Sequence, residues 1–375
     1  MLSNHPLGLT GHYSSNRAAR PHRPALGNRD WTLLNGNTTL RHENTSLLSV
    51  SEVTAPIEVT SASYDEQLKS TLDRLGLPEG LLQRVAGVNS RRNWAEDSGG
   101  FVEGGIAAGK KALAEAGIEA EQIGLMINAS VTRAHLEPSV AVSIHDGIGL
   151  PSSAMNFDIA NACLGFVNAM AVAANMIESG AIEYALVVAS EDASKVQRAT
   201  LKRLQREGIT RAEYLEEFAS LTLGSGASAA VLGRSDKHPE GHRILGSVTR
   251  AATWNHKLCV GDHDGMFTDT AGLLSNGMQL VTSAWEEAHE NGWDWTDMDR
   301  YIMHQVSDVH VNAITKAAKI PMERVPKTYP ELGNVGPASL PITLAREVES
   351  LKSGDRVLAM GVGSGLNTSM TEIVW

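Results

Sequence analysis

Hydrophobic positions along the chain follow two alternating rhythms. Continuous apolar runs of strand length occur at 123–129 (IGLMINA), 154–159, 184–189 and 357–360, flanked by glycine, proline or polar residues. Between them, apolar residues at helical spacing mark 97–117, a segment near 139–147, and 163–179, the last apolar on nearly every face. The alternation predicts an α/β fold with helices covering the sheet faces. A strand at 301–304, a helix from Ser307 to about Lys319 and a closing strand in the last ten residues (LNTSMTEIVW) carry the pattern to the end. Residues 1–43 break it. Asn, Gly, His, Ser and Pro are mixed there with Arg17, Arg20, Arg23 and Arg29, and no apolar period is sustained, so a flexible N-terminal tail or late-docking arm is expected.

The pattern also repeats. SGAIEYALVVAS at 179–190 resembles SGDRVLAMGVGS at 353–364, and the acidic lead-in and strand at 118–128 resemble 295–304. Both pairs lie about 175 residues apart in the same order. A duplicated unit is expected, with an N-terminal half over 44–235, a C-terminal half over 236–375 and a site between them.

Composition narrows the partners. Thirty-two basic against 43 acidic residues give a net charge of −11, which repels phosphate backbones and argues against nucleic acid. No run of 18 apolar residues exists and the N-terminus lacks a signal-peptide pattern, so no membrane span and a cytoplasmic location are expected. Two cysteines cannot build a disulfide framework. Glycine is enriched, 35 in 375 residues, which predicts many tight turns or close backbone approaches.

Chemistry-bearing residues sit at the element junctions. In Asn161-Ala162-Cys163-Leu164-Gly165, the strand MNFDIA turns into a buried helix, and Cys163 falls at that helix's N-terminus. There the dipole would favour thiolate and lower the thiol pKa from about 8.5, although a small buried core residue is the other reading. His304 ends a strand, and strand ends gather catalytic groups in α/β folds. Asn334 lies in the turn-rich LGNVGPASLP, where it serves either the backbone or as an amide donor. GVGSG at 361–365 is followed by a strand, which excludes a dinucleotide loop and suits backbone N–H groups near a reacting carbonyl. Cys259, in HKLCVGDH, has a spacing that superficially suits a metal; a structural loop near the site is the default, and no metal is assigned. No serine-hydrolase elbow or P-loop occurs.

Together, Asn161-Ala-Cys163, His304-Gln305, Gly333-Asn334-Val-Gly336-Pro-Ala-Ser339 and Gly361-Val-Gly-Ser-Gly365 resemble the thiolase superfamily and its ketoacyl synthase III-like branch. Within it, Ala86-Gly-Val-Asn-Ser-Arg91-Arg92, Leu136-Glu137-Pro138-Ser139 and Trp254-Asn-His-Lys-Leu-Cys259 are most similar to acyl-CoA condensing enzymes of the OleA type, from long-chain olefin biosynthesis. The resemblance implies a duplicated, five-layered α/β/α/β/α thiolase fold and no cofactor. It implies that Cys163 takes an acyl group, that the backbone N–H groups of Cys163 and Ser364 form an oxyanion hole, and that His304 and Asn334 hold a second thioester as its enolate forms. Glu137 would remove the α-proton, reaching the site across a homodimer interface. Arg91 and Arg92 match a segment near the CoA entrance. The implied reaction is non-decarboxylative head-to-head Claisen condensation of two long-chain acyl-CoAs to a 2-alkyl-3-oxoalkanoate, with downstream olefin-pathway enzymes as possible partners. The alternative is a decarboxylating ketoacyl synthase III using malonyl carrier protein. A mere scaffold subunit would be expected to lack Cys163 or Glu137, and both are present.

Overall fold

The computed structural model describes residues 39–95, 99–262 and 265–375, so residues 1–38 of the expected N-terminal arm lie outside the described residues. The strands are β1 (Thr39–Arg41), β2 (Thr45–Thr54), β3 (Ile57–Thr60), β4 (Ser90–Asn93), β5 (Ile123–Asn128), β6 (Met155–Asp158) and β7 (Tyr184–Glu191). They continue as β8 (Gly226–Arg234), β9 (His242–Ala251), β10 (Cys259–Gly261), β11 (Met266–Thr268), β12 (Arg300–Met303), β13 (Arg356–Gly363) and β14 (Asn367–Val374). The helices are α1 (Ser61–Gln67), α2 (Lys69–Leu75), α3 (Gly100–Ala116), α4 (Val140–Ile148), α5 (Gly165–Glu178), α6 (Ser194–Leu204), α7 (Arg211–Glu217), α8 (Thr270–Glu290), α9 (Asp308–Ala318), α10 (Tyr329–Leu332) and α11 (Ser339–Glu347).

One large mixed sheet runs β12-β13-β14-β9-β2-β8-β7-β5-β6, with β1 added on β9. Its two halves share a pattern. β7 pairs parallel with β5 and antiparallel with β8, as β13 pairs parallel with β12 and antiparallel with β14. Then β8 meets β2 and β14 meets β9, both antiparallel, and within the sheet the halves meet through two residue pairs between β2 and β9. Thus the repeat at 179–190 and 353–364 marks equivalent strands, and the fold is the duplicated thiolase fold.

The helices complete five layers. α3 and α4 cover one outer face over β5, β7 and β8, while α8 covers the other over β9 and β14 with α9 beside it. α5 and α11 lie in the middle and touch strands of both halves. That position explains the composition of α5: Phe166, Val167, Ala169, Met170, Ala173, Ala174 and Ile177 are all buried, because the helix has sheet on two sides. Likewise every residue of β7 is buried, which is why YALVVASE shows no polar alternation. Among the described residues, no helix is long and apolar enough to cross a membrane.

Candidate active site

The turn that carries Cys163 is assembled from both halves of the chain. After β6, the Ile159 N–H donates to the Asn128 carbonyl, Ala162 adopts a left-handed φ of 47°, and the Leu164 N–H closes on the Asn161 carbonyl at 3.0 Å before α5 begins. The Asn161 side chain donates to Asn168 Oδ1 on α5 at 2.6 Å and accepts from Asn367 Nδ2 on β14 at 3.2 Å. Glycine permits the close packing around this turn. A Cβ on Gly165 would stand 2.7 Å from the Ala129 carbonyl oxygen, and one on Gly363 would stand 3.0 Å from that of Asn161. The Gly-rich end of β13 therefore lies directly over the turn that carries Cys163.

Cys163 lines a cavity of about 1530 Å³, larger than the roughly 300–1,000 Å³ usual for small-molecule sites. The thiol departs from the expectation drawn from the helix N-terminus. Burial pushes it up to about 12, with further upward pressure from Cys259 and Glu191, and only a backbone hydrogen bond opposes this. The helix starts two residues later, at Gly165, so its dipole does not overcome the loss of water.

His304, Asn334 and Ser364 line the same cavity. The His304 N–H extends the parallel ladder to the Met360 carbonyl at 3.0 Å. The buried side chain of Gln305 fixes the following turn by donating to the Met303 carbonyl and accepting from the Thr328 N–H. Burial, and then the neighbouring His310, push His304 down to about 3, so its imidazole is neutral at ordinary pH. Its Nδ1 is buried without a hydrogen-bond partner among the described residues. Asn334 is held by two backbone bonds, its N–H to the Thr222 carbonyl and its carbonyl from the Gly224 N–H, both 2.9 Å. Its Oδ1 accepts from the Gly336 N–H, which leaves Nδ2 as the donor for a bound carbonyl.

Cys259 also lines the cavity. Its sulfur lies 3.8 Å from Thr268 Oγ1, and burial raises its thiol while hydrogen bonds to the Thr268 and Ser364 hydroxyls oppose the shift. No group of three metal-ligating side chains occurs among the described residues.

Two expectations fare differently. Glu137 does not reach this cavity within one chain: it lies exposed on the loop 130–139, beside Leu136, which is 94% exposed. Arg91 is fully buried, and its guanidinium donates to the Val59 carbonyl and Ser61 Oγ while stacking 4.6 Å from the Tyr64 ring centroid. Burial pushes it down to about 10. Arg92 pairs with Glu58 at 3.9 Å on the two-stranded β3–β4 ribbon. Neither arginine lines the cavity, and Arg91 is occupied by backbone and aromatic partners and packs behind the Gly333 turn.

One cavity residue escaped sequence reading. Glu191 ends β7, is buried, and receives the Val131 N–H at 2.6 Å together with the N–H and hydroxyl of Thr132 at 3.0 and 2.6 Å. Burial nevertheless raises its carboxyl to about 7. Its signal was available: an acid closing an otherwise apolar strand.

Known proteins share these features. The family model for 3-oxoacyl-acyl-carrier-protein (ACP) synthase III matches residues 157–253, and its C-terminal model matches 288–375. An acyl-CoA:acyl-CoA alkyltransferase of Xanthomonas campestris pv. campestris is 43% identical over 336 residues, covering 89% of this chain and 99% of that protein. One of Shewanella oneidensis with the same name is 31% identical over 351 residues, covering 90% and 100%. A crystal structure of a cysteine-to-serine variant of Xanthomonas campestris OleA with bound lauric acid and lauroyl-CoA superposes with a TM-score of 0.86 at 42% identity, covering 89% of this chain and 100% of that one.

Proposed function

Because the chain belongs to the acyl-CoA:acyl-CoA alkyltransferase family of thiolase-fold condensing enzymes, we propose that it joins two long-chain fatty acyl-CoAs head to head without decarboxylation, giving a 2-alkyl-3-oxoalkanoate. The observation that carries this reading is a single apolar cavity lined by Cys163, His304, Asn334 and Ser364. Val85, Val131, Leu215, Val260 and Val309 line it while remaining exposed, which supports an apolar rim suited to alkyl chains. Lys195, exposed at the same opening, is the cation offered to an anionic CoA by a chain of net charge −11.

In the first half-reaction the Cys163 sulfur attacks the thioester carbonyl of one acyl-CoA. The C–S bond to CoA breaks, and the thiol proton leaves with the CoA thiolate. The Cys163 and Ser364 backbone N–H groups receive the developing oxyanion, each donor being worth roughly 2.7–4 kcal/mol of barrier. A second acyl-CoA then binds with its carbonyl oxygen toward His304 and Asn334 Nδ2. A neutral His304 fits that task, since it donates a hydrogen bond without adding a buried charge. Glu137 of a second subunit removes the α-proton. The enolate carbon attacks the Cys163 thioester, a C–C bond forms, and Cys163 leaves as thiolate and recovers a proton. Water then hydrolyses the remaining CoA thioester to the free acid.

The homodimer is supported by a sheet edge with no further partner among the described residues. β6 closes the sheet, Met155 on it is exposed, and so are Val142 on the adjoining α4 and Leu136 in the loop beside Glu137. Two free thiols and a CoA substrate suit the cytoplasm, where downstream olefin-pathway enzymes would receive the product. The second reading, a decarboxylating synthase III using malonyl carrier protein, is favoured by the two family models. Incubation with myristoyl-CoA alone separates them: free CoA and the ketone from decarboxylation of the product are expected, and no turnover without malonyl groups defeats the main reading. Mixing Cys163→Ala with Glu137→Ala chains tests the dimer, since only a base supplied in trans lets two inactive variants restore turnover.

A further inference from the structure

Glu191 has no part in the steps above, yet it stands where the nucleophile and the base-bearing loop meet. It lines the Cys163 cavity and its charge acts on the Cys163 thiol. Its two oxygens are turned away from any substrate role by the loop itself. Oε1 takes the Val131 N–H, and Oε2 takes both the N–H and the hydroxyl of Thr132. Thr132 Oγ1 in turn accepts the Asp192 N–H at 3.0 Å, so the root of the loop is bound to the end of β7 by four hydrogen bonds.

The far end of the same loop is held in the same manner. Asp158, at the end of β6, accepts the Val140 and Ala141 N–H groups at 3.0 and 2.9 Å, and so caps α4. Arg133 closes the root, with Nε 3.4 Å from Asp158 and its guanidinium on the Ser130 and Thr132 carbonyls. Two carboxylates thus clamp a short span, 133–139, whose exposed tip carries Glu137. Asp158 takes the place of a helix cap, since Ser139, the residue before α4, makes no side-chain cap bond. Glu191 is the costly one, because a buried carboxylate without a full counter-charge is retained where function needs it.

We propose that Glu191 is a positioning residue for the condensation step: its hydrogen bonds to Val131 and Thr132 fix the root of the loop, and thereby the place that Glu137 takes in the site of the other subunit. The proposal rests on the reading of Glu137 as the base supplied in trans. Each Glu191 then serves two sites at once, packing beside its own Cys163 and aiming the carboxylate lent to the neighbour.

The test uses full-length protein with myristoyl-CoA, following Cys163 acylation by intact mass and condensation by ketone release. Glu191→Gln keeps the shape but sets an amide N–H₂ against a loop N–H. It is expected to acylate no more slowly than wild type, since losing the charge eases ionisation of the Cys163 thiol, yet to lose about 100-fold in condensation kcat as for a misplacement of roughly 1 Å, and to keep its KM. Thr132→Val removes two of the four bonds, the hydroxyl's donation to Glu191 and its acceptance from the Asp192 N–H, and guards against a Glu191 variant that fails to fold. It should show the same split to a lesser degree, while Thr132→Ser restores condensation. Hydrogen exchange should quicken in 131–138, with Asp192 added in Thr132→Val, and nowhere else. Wild-type condensation in both variants, or acylation falling in step with condensation, overturns the proposal. Glu137→Ala is run in parallel: if it condenses normally, the underlying reading fails, whereas its loss beside intact Glu191→Gln and Thr132→Val defeats the positioning role alone.

Discussion

Replacing His304 with alanine should make the protein less sensitive to acid, even though the variant is less stable at every pH. The reasoning starts from burial, which holds the His304 imidazole near a pKa of about 3 against 6.5 for a solvated ring. Between those values the unfolded chain binds a proton that the folded chain refuses, so stability rises with pH through the window and falls as pH drops from 6.5 toward 3. Each pH unit inside the window is 1.36 kcal/mol, so at pH 5 the unpaid proton costs the folded state about 2 kcal/mol and at pH 7 almost nothing. His304→Ala removes that term. Its cavity and lost contacts lower stability equally at both pH values and cancel in the difference. Urea titrations at pH 7 and pH 5, at one protein concentration, should therefore show a smaller pH-dependent loss in the variant by about 2 kcal/mol. Other buried histidines, His310 included, are common to both proteins. Equal losses in the two proteins would mean that His304 titrates normally and reaches water.

Other consequences are open to simple measurement. In the free enzyme, iodoacetamide modification of Cys163, read by peptide mass, should keep accelerating through pH 9, because the thiol is pushed up to about 12; a plateau at or below pH 8.5 would contradict its burial. Gly165→Ala should lower Tm and slow acylation, since the new methyl meets the Ala129 carbonyl and overpacking costs roughly 1–3 kcal/mol, more than the gain of about 1 kcal/mol in helix propensity. A variant that melts at or above wild type would show that the turn yields. Arg91→Ala should destabilise by roughly 1–3 kcal/mol, stranding the Val59 and Ser61 acceptors, without raising KM for acyl-CoA. A raised KM at unchanged Tm would return Arg91 to the CoA entrance.

Much of the architecture was legible because burial on two sides leaves a direct imprint. The wholly apolar runs of β5, β7 and β13, and the all-round apolar α5, declare their layers, and their recurrence exposes the duplication. Cys163, His304, Asn334 and Ser364 stand at strand ends and glycine turns and line one cavity, while the roles proposed for them came from the family resemblance. What stayed hidden depends on distance through space. β8 (GASAAVLGR) is built of small residues between β2 and β7, and small residues carry little hydrophobic period. Arg91 reads as a surface cation until Tyr64, Val59 and Ser61 are seen around it. Glu191 reads as the start of a loop, since nothing in the sequence says that Val131 and Thr132 turn their N–H groups toward it.

The same burial decides what state the site waits in. Cys163 is held as a thiol, His304 as a neutral imidazole, and Glu191 is pushed toward its protonated form, so each group is moved toward the uncharged species for one reason, the loss of water. In a cavity lined mainly by apolar side chains these three groups are then close to uncharged before substrate enters, while Arg133, Asp192, Lys195 and Asp262 supply its charges. That suits two uncharged thioesters. It also demands that the negative charge of the enolate be created in place and met at once by donors already aimed, which is the role proposed for Asn334 Nδ2 and His304. A base kept permanently inside such a cavity would be driven toward neutrality like Glu191. Glu137 stands exposed on its own chain, which fits the proposal that this carboxylate is lent to the second subunit's cavity rather than kept inside its own.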